Sequence, residues 1–184
     1  MEQQNRERVL QYLMESHNTL RQAVAGLSAE QRSFRPAAGR WSVADCVEHL
    51  TVVENFTLKR IQNALEQPPA DHLDTNGKDQ VILDNVPGRA RRVQAPEVVI
   101  PTGRWPDWNE LLRQFEVTRQ RTIDFARETQ VDLRSRAFPH PFLGPLDCYQ
   151  WLLFLAMHCE RHVRQMEEVK SDAGFPGKVG SAIA

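Results

Sequence analysis

The protein has 184 residues, 41% of them hydrophobic, and its 23 lysines and arginines nearly balance its 24 aspartates and glutamates. This length fits one domain that can bury a core without disulfides or a structural metal. The near-neutral charge argues against a nucleic-acid-binding protein, which normally carries a basic excess. No apolar run approaches the roughly 20 residues that cross a bilayer, and the polar N-terminus does not resemble a signal peptide. We therefore expect a soluble, cytoplasmic protein that binds neither nucleic acid nor membranes.

The three cysteines, Cys46, Cys148 and Cys159, form no C-x-x-C pair and show no disulfide-framework spacing. In a reducing compartment each is expected to be a small buried side chain.

The first half of the chain shows helical periodicity. Apolar residues recur at spacings of three and four over residues 5–26, which predicts a first amphipathic helix. Ser28 and Gln31 have the spacing of a capping box and predict a short turn of helix. Ser42 and Asp45 mark the start of a second long helix, which ends before Pro68. Its inward face is predicted to carry the following residues: Cys46, His49, Val53 and Phe56.

Residues 67–106 interrupt the helical pattern with six prolines and three glycines. This segment is far longer than a turn between two helices. Its length suits a crossover between parallel neighbours or a loop that covers a site. Within it, residues 81–83 predict a short helical turn, and residues 98–100 predict a brief extended piece.

A third long helix is predicted to begin at Asp107, and a Pro-rich link over residues 138–145 leads to the last helix. Asp147 is the expected cap of this last helix, which runs to about residue 170. We predict an all-α fold, a four-helix bundle with a long crossover connection between helices 2 and 3. Residues 1–170 form its single domain, and residues 171–184 are expected to be a loose tail.

The six histidines are the most informative polar residues. His72 and His140 lie in Pro/Gly-rich segments and are expected to be exposed, and His17 is expected at the edge of the core. His158 and His162 are four residues apart and lie on the apolar face of the last helix. Burying two imidazoles costs free energy unless each has a partner, and two protonated rings repel each other. A divalent metal resolves both problems, because it binds neutral imidazole nitrogens.

His49 occupies a core-facing position on the second helix. If the second and last helices are neighbours, His49 and the pair on the last helix can form a three-histidine site with an open coordination position. Cys46, one turn earlier, could add a fourth ligand and close the site, although packing is its simpler role. His17 could also look into the bundle.

The segment WSVADCVEHL over residues 41–50, with a later H-x-x-x-H over residues 158–162, resembles the DinB/YfiT-like superfamily. The resemblance covers most of the chain, from the first helix to about residue 170. It implies a four-helix bundle that carries one divalent metal, commonly nickel or zinc, on three histidines. These histidines map onto His49, His158 and His162.

The resemblance leaves the reaction open. Some members are thiol-dependent S-transferases or isomerases that use a low-molecular-weight thiol, and others are described as metal-dependent hydrolases. We therefore expect a metal-dependent enzyme acting on a small molecule, with its catalytic residues unassigned. The alternatives are a non-catalytic, stress-related module that binds metal or dimerises, and a bundle whose histidines are only buried polar groups. A homodimer is expected, because most soluble oligomers have two-fold symmetry.

Overall fold

Six α-helices and one β-hairpin build the part of the chain that the computed structural model describes, which is residues 2–69, 74–90 and 93–177. The elements in chain order are α1 (Gln3–Val24), α2 (Ala29–Ser33), α3 (Val43–Leu65), α4 (Lys78–Asn85), α5 (Trp108–Glu128), β1 (Ala137–His140), β2 (Gly144–Asp147) and α6 (Cys148–Ser171). None of the described helices is both long and apolar enough to cross a membrane.

The four long helices α1, α3, α5 and α6 form the bundle. Helix α1 packs against α5 and α6, and α3 packs against the same two helices, so α1 and α3 occupy diagonal corners. This arrangement confirms the predicted four-helix bundle, and it makes α3 and α6 neighbours. A buried ion pair between Glu54 of α3 and Arg119 of α5 lies inside the bundle, and Arg119 also donates to the Leu13 carbonyl of α1.

The two helices that carry the candidate metal ligands begin at the predicted caps. The Ser42 hydroxyl accepts from the Asp45 backbone N–H, and the Asp45 carboxylate accepts from the Ser42 N–H. Asp147 and Gln150 form the same reciprocal pair at the start of α6. Each capping box satisfies backbone donors that the first helical turn leaves unpaired. The starts of α3 and α6 are therefore encoded locally.

The long connection between α3 and α5 packs onto the bundle. Helix α4 contacts α6, and a 3₁₀ turn (Glu97–Val99) contacts α3. Residues 98–100 were predicted to be extended, and this prediction was wrong for residues 98 and 99, which belong to the 3₁₀ turn. The backbone N–H groups of Val99 and Ile100 donate to the carbonyls of Pro96 and Glu97, so this short segment satisfies part of its hydrogen bonding within itself.

The Pro-rich link before α6 forms an antiparallel hairpin, which the sequence patterns did not predict. Strand β1 pairs with β2, with Pro139 opposite Pro145. Proline lacks a backbone donor and is tolerated in edge strands, and these two strands form a sheet of their own. Gly144 opens β2 with a φ of 71°, a left-handed conformation that favours glycine.

Two further expectations differ from the structure. Phe56 was predicted to face the core, but it is 51% exposed because it lies on the wall of a cavity. The segment after α6 was expected to be loose, but Phe175 is buried edge-on against Phe34 with 5.6 Å between ring centroids. Gln31 also donates to the Pro176 carbonyl. The chain up to residue 177 therefore packs on the bundle, and the remaining part of the expected tail lies outside the described residues.

Candidate metal centre

Three histidines from two neighbouring helices converge on one point. His49 projects from α3, and His158 and His162 project from successive turns of α6. The Nε2 atom of His158 lies 3.4 Å from His49 Nε2 and 3.1 Å from His162 Nε2. One nitrogen from each ring lies within 4.8 Å of the other two. The structure thus brings together the three residues selected from the helical faces.

A hydrogen bond at Nδ1 determines the tautomer of His49. Its Nδ1 lies 2.8 Å from the Val99 carbonyl oxygen, which can only accept a hydrogen bond. Nδ1 therefore carries the proton, and the Nε2 of the neutral ring presents its lone pair to the other two histidines. A backbone carbonyl that fixes the ring of a metal-binding histidine in this way is a common feature of metal sites.

Burial keeps the cluster uncharged at neutral pH. His49 and His162 are buried and His158 is half-buried. Burial lowers the pKa of His49 to about 4, although the bond to Val99 opposes this shift. Burial and the neighbouring imidazoles lower the pKa values of His158 and His162 well below the usual range. Neutral imidazole is the form that binds a metal.

The donor set fits a divalent cation. Two nitrogen ligands at about 2.0–2.1 Å from a tetrahedral zinc lie about 3.3 Å apart. The two short Nε2–Nε2 distances of 3.4 and 3.1 Å are close to that value. Among the described residues, the buried Nδ1 of His162 has no hydrogen-bond partner, and its Nε2 contacts only the Nε2 of His158. A cation bound by all three rings would compensate for their burial.

Aromatic side chains enclose the cluster. The Trp41 ring lies 4.7 Å from His49 and 5.9 Å from His162, measured between centroids. The Phe154 ring stacks on His158 at 5.0 Å. Trp41 therefore lies beside the histidines and lines the adjoining cavity.

The three histidines line a cavity of about 600 Å³. The connection between α3 and α5 forms one side of it, and the turn of the β-hairpin forms another. The lining is mainly apolar and aromatic, including Val53, Phe56, Val86, Val98, Ile100, Phe142, Leu143, Trp151 and Phe154. The charged residues of the lining are Arg40, Arg60, Arg89 and Arg161, and no described lining residue is an aspartate or glutamate. The cavity can therefore hold a small molecule, and two of its four arginines, Arg40 and Arg89, are paired with Glu168 outside the lining.

Two suggested additional ligands lie outside the cluster. Cys46 is buried in the apolar core, where burial raises the pKa of its thiol, and it is not among the described groups that could hold a metal. His17 contacts Glu116 of α5 and the Phe115 ring, away from the three histidines. His72 falls outside the described residues.

His140 was expected to be exposed, and the structure shows that this was wrong. It lies at the end of β1, where its Nδ1 accepts from the backbone N–H groups of Phe142 and Leu143 at 3.1 and 3.2 Å. Its ring packs against Trp151 and Phe154, and it lines the cavity. The unpredicted hairpin explains the error, because it folds this residue back onto α6.

The charged residues close to the ligands in sequence have structural partners. Asp45 caps α3 and accepts from Arg35. Glu48 accepts from the backbone of Thr102 and Gly103 and from Arg104. Arg104 is therefore paired with an acid, and it does not line the cavity.

Comparison with known proteins identifies the fold and the family of the chain. The uncharacterized protein YuaE of Bacillus subtilis (strain 168) is 24% identical over 145 residues, which cover 79% of this chain and 86% of YuaE. The solved structure of YfiT from Bacillus subtilis is described as that of a probable metal-dependent hydrolase with an unusual four-helix bundle topology. It matches with a TM-score of 0.64 at 17% identity, covering 92% of this chain and 88% of YfiT, which supports the shared fold. A sequence model of the DinB superfamily matches residues 12–166, and the chain therefore belongs to the DinB superfamily.

Proposed function

We propose that the protein is a metal-dependent enzyme that acts on a small organic molecule. His49, His158 and His162 would hold one divalent ion, with zinc and nickel as the first candidates, since both accept imidazole ligands. The observation that carries this proposal is the convergence of three neutral imidazoles on the wall of a cavity of about 600 Å³. Three protein ligands leave a coordination position for water or substrate.

When bound, the metal supplies a Lewis acid that polarises a carbonyl group or lowers the pKa of a water or thiol. The chain contributes orientation and exclusion of water. The Val99 carbonyl holds the His49 ring in one tautomer. Trp41 and Phe154 cover the histidine rings with apolar surface, which lowers the local dielectric and strengthens electrostatic interactions at the site.

Hydrolysis is the first reaction to test, because YfiT is described as a probable metal-dependent hydrolase. Transfer of a low-molecular-weight thiol to an electrophile is the second candidate. It is favoured by the lining of the cavity, where no described residue is an aspartate or glutamate that could serve as general acid or base. A thiolate attacks an electrophile without such a group once the thiol has lost its proton.

The test is an activity screen on zinc-loaded and nickel-loaded protein, with p-nitrophenyl esters for hydrolysis and monobromobimane with several thiols for transfer. We expect acceleration in one of the two assays, loss of it after chelation and recovery when the metal is restored. His162→Ala should lower the rate to the uncatalysed level, whereas His17→Ala should leave it unchanged. Activity that survives chelation would refute a metal-dependent reaction, and metal-loaded protein inactive in both assays would favour a non-catalytic module.

A further inference from the structure

Arg60 lies on the cavity wall and forms no ion pair with any residue that the structure describes. Its guanidinium carbon lies 4.4 Å from the centroid of the Phe138 ring and 5.9 Å from that of Trp151. Within the described ranges no carboxylate lies within ion-pair distance of Arg60, whereas Arg89, another cation of the lining, is paired with Glu168 at 2.8 Å. A guanidinium on aromatic faces keeps its N–H edges available to a ligand.

His140 adds a directed donor beside this cation. Its Nδ1 accepts two backbone hydrogen bonds, so the proton of the neutral ring lies on Nε2. That Nε2–H has no partner among the described residues. The His140 ring lies 5.0 Å from the Trp151 ring, measured between centroids. The Arg60 guanidinium also contacts Trp151, so both hydrogen-bond donors pack against the same indole ring. Burial, together with the charge of Arg60, lowers the pKa of His140 to about 4, which keeps the ring neutral at pH 7.

One phenyl ring separates His140 from the three-histidine cluster. The Phe154 centroid lies 4.5 Å from His140 and 5.0 Å from His158, and Phe154 lines the cavity. A ligand lying along Phe154 can therefore reach the metal ligands with one end and the Arg60–His140 pair with the other. The body of such a ligand would contact mainly apolar side chains.

We propose that the cavity binds a small organic carboxylate, with its carboxylate on Arg60 and the Nε2–H of His140 and its apolar body along Phe154 and Trp151. The planar guanidinium matches a carboxylate, and a mainly apolar surrounding strengthens the charge-assisted hydrogen bonds. The absence of acidic residues from the described lining leaves the anion without a repelling neighbour. This inference depends on the proposed function in one respect: the part of the ligand that reacts is placed at the three histidines.

The test is calorimetric binding of 3-phenylpropionate and its uncharged analogue 3-phenylpropanamide to metal-loaded and to chelator-treated protein. We expect the carboxylate to bind both forms at least tenfold more tightly than the amide. Arg60→Met keeps the unbranched stem over Phe138 but removes the charge, and it should weaken carboxylate binding about 10- to 100-fold. Arg60→Lys should recover part of the affinity, and Arg113→Met, at an exposed site outside the lining, should have no effect.

Several outcomes would overturn this inference. Carboxylate binding that requires the metal and ignores Arg60→Met would mean that the probe binds the metal itself. Equal affinity for the amide, tighter binding of phenyl phosphate, or no binding of any probe would refute a carboxylate site. If no metal binds but carboxylate affinity still depends on Arg60, the proposed enzyme fails while the carboxylate site stands, so the two failures are distinguishable.

Discussion

The folded protein favours the neutral form of His140. Its Nδ1 accepts from the backbone N–H groups of Phe142 and Leu143, and protonation of Nδ1 would remove both hydrogen bonds. The added charge would also be buried against Phe154 and repelled by Arg60.

This environment predicts a pH dependence of stability. The pKa of His140 is about 4 in the folded protein against 6.5 for an ordinary histidine, so the unfolded chain binds more protons in this window. The free energy of unfolding should therefore fall as the pH drops from 6.5 towards 4. His140→Gln should reduce this slope by up to about 1.4 kcal/mol per pH unit, measured by urea unfolding of chelator-treated protein. A constant difference between the two proteins from pH 8 to pH 5 would contradict the assignment.

The site residues that lie on the inward faces of regular helices could be identified from the sequence. The spacing of His158 and His162, and the position of His49 beside Cys46 and Val53, placed three imidazoles together on the condition that the second and last helices are neighbours, and α3 and α6 meet that condition. The roles of His140 and Arg60 could not be predicted. Their environment depends on a hairpin that brings Phe138 and His140 onto Trp151 of α6, and no local periodicity specifies that contact.

At the scale of elements, the connection between α3 and α5 is attached to α3 through two adjacent residues. Glu48 is buried and accepts from the backbone N–H groups of Thr102 and Gly103 at 2.7 and 3.0 Å, and from Arg104 at 2.7 Å. His49, the next residue, donates to the Val99 carbonyl. Because residues of the same connection line the cavity, these bonds hold one of its walls in place.

Glu48→Ala should loosen the connection between α3 and α5 where it is attached to α3. The variant leaves two backbone donors and Arg104 without their acceptor, and it should lower the free energy of unfolding by about 2–3 kcal/mol. Hydrogen exchange measured by mass spectrometry should show faster exchange at residues 102 and 103. Glu97→Ala, which removes an exposed acid from the same connection, is the control and should not change this exchange. Unchanged protection at residues 102 and 103 in Glu48→Ala would show that Glu48 does not hold the segment.

Elements that are specified by residues close together in sequence could be predicted, whereas elements that depend on residues far apart in sequence could not. The starts of α3, α5 and α6 depend on caps within three residues, and all three match the sequence patterns. The 3₁₀ turn at Glu97–Val99 lies against α3, and the hairpin lies against α6, so both depend on contacts with distant parts of the chain. The hydrogen bond between His49 and Val99 likewise spans 50 residues, and no sequence motif indicates it.

At the scale of the whole molecule, the bundle provides the rigid frame on which the site is built. Helices α3 and α6 pack directly against each other and supply all three histidines, whereas the connection and the hairpin complete the cavity. This division places the candidate ligands on regular helices and part of the apolar wall, including Ile100 and Phe142, on loops, where changes in sequence can reshape the cavity without displacing the ligands.

The measurement that most directly tests the central claim is the metal content of tag-free protein by inductively coupled plasma mass spectrometry, with wild type beside His158→Ala. His17→Ala serves as the control, because His17 lies outside the cluster. We predict about one equivalent of a divalent metal in the wild type and in His17→Ala, and its loss in His158→Ala. No metal in the wild type after incubation with zinc or nickel, or equal metal in His158→Ala, would contradict a metal centre at these three histidines.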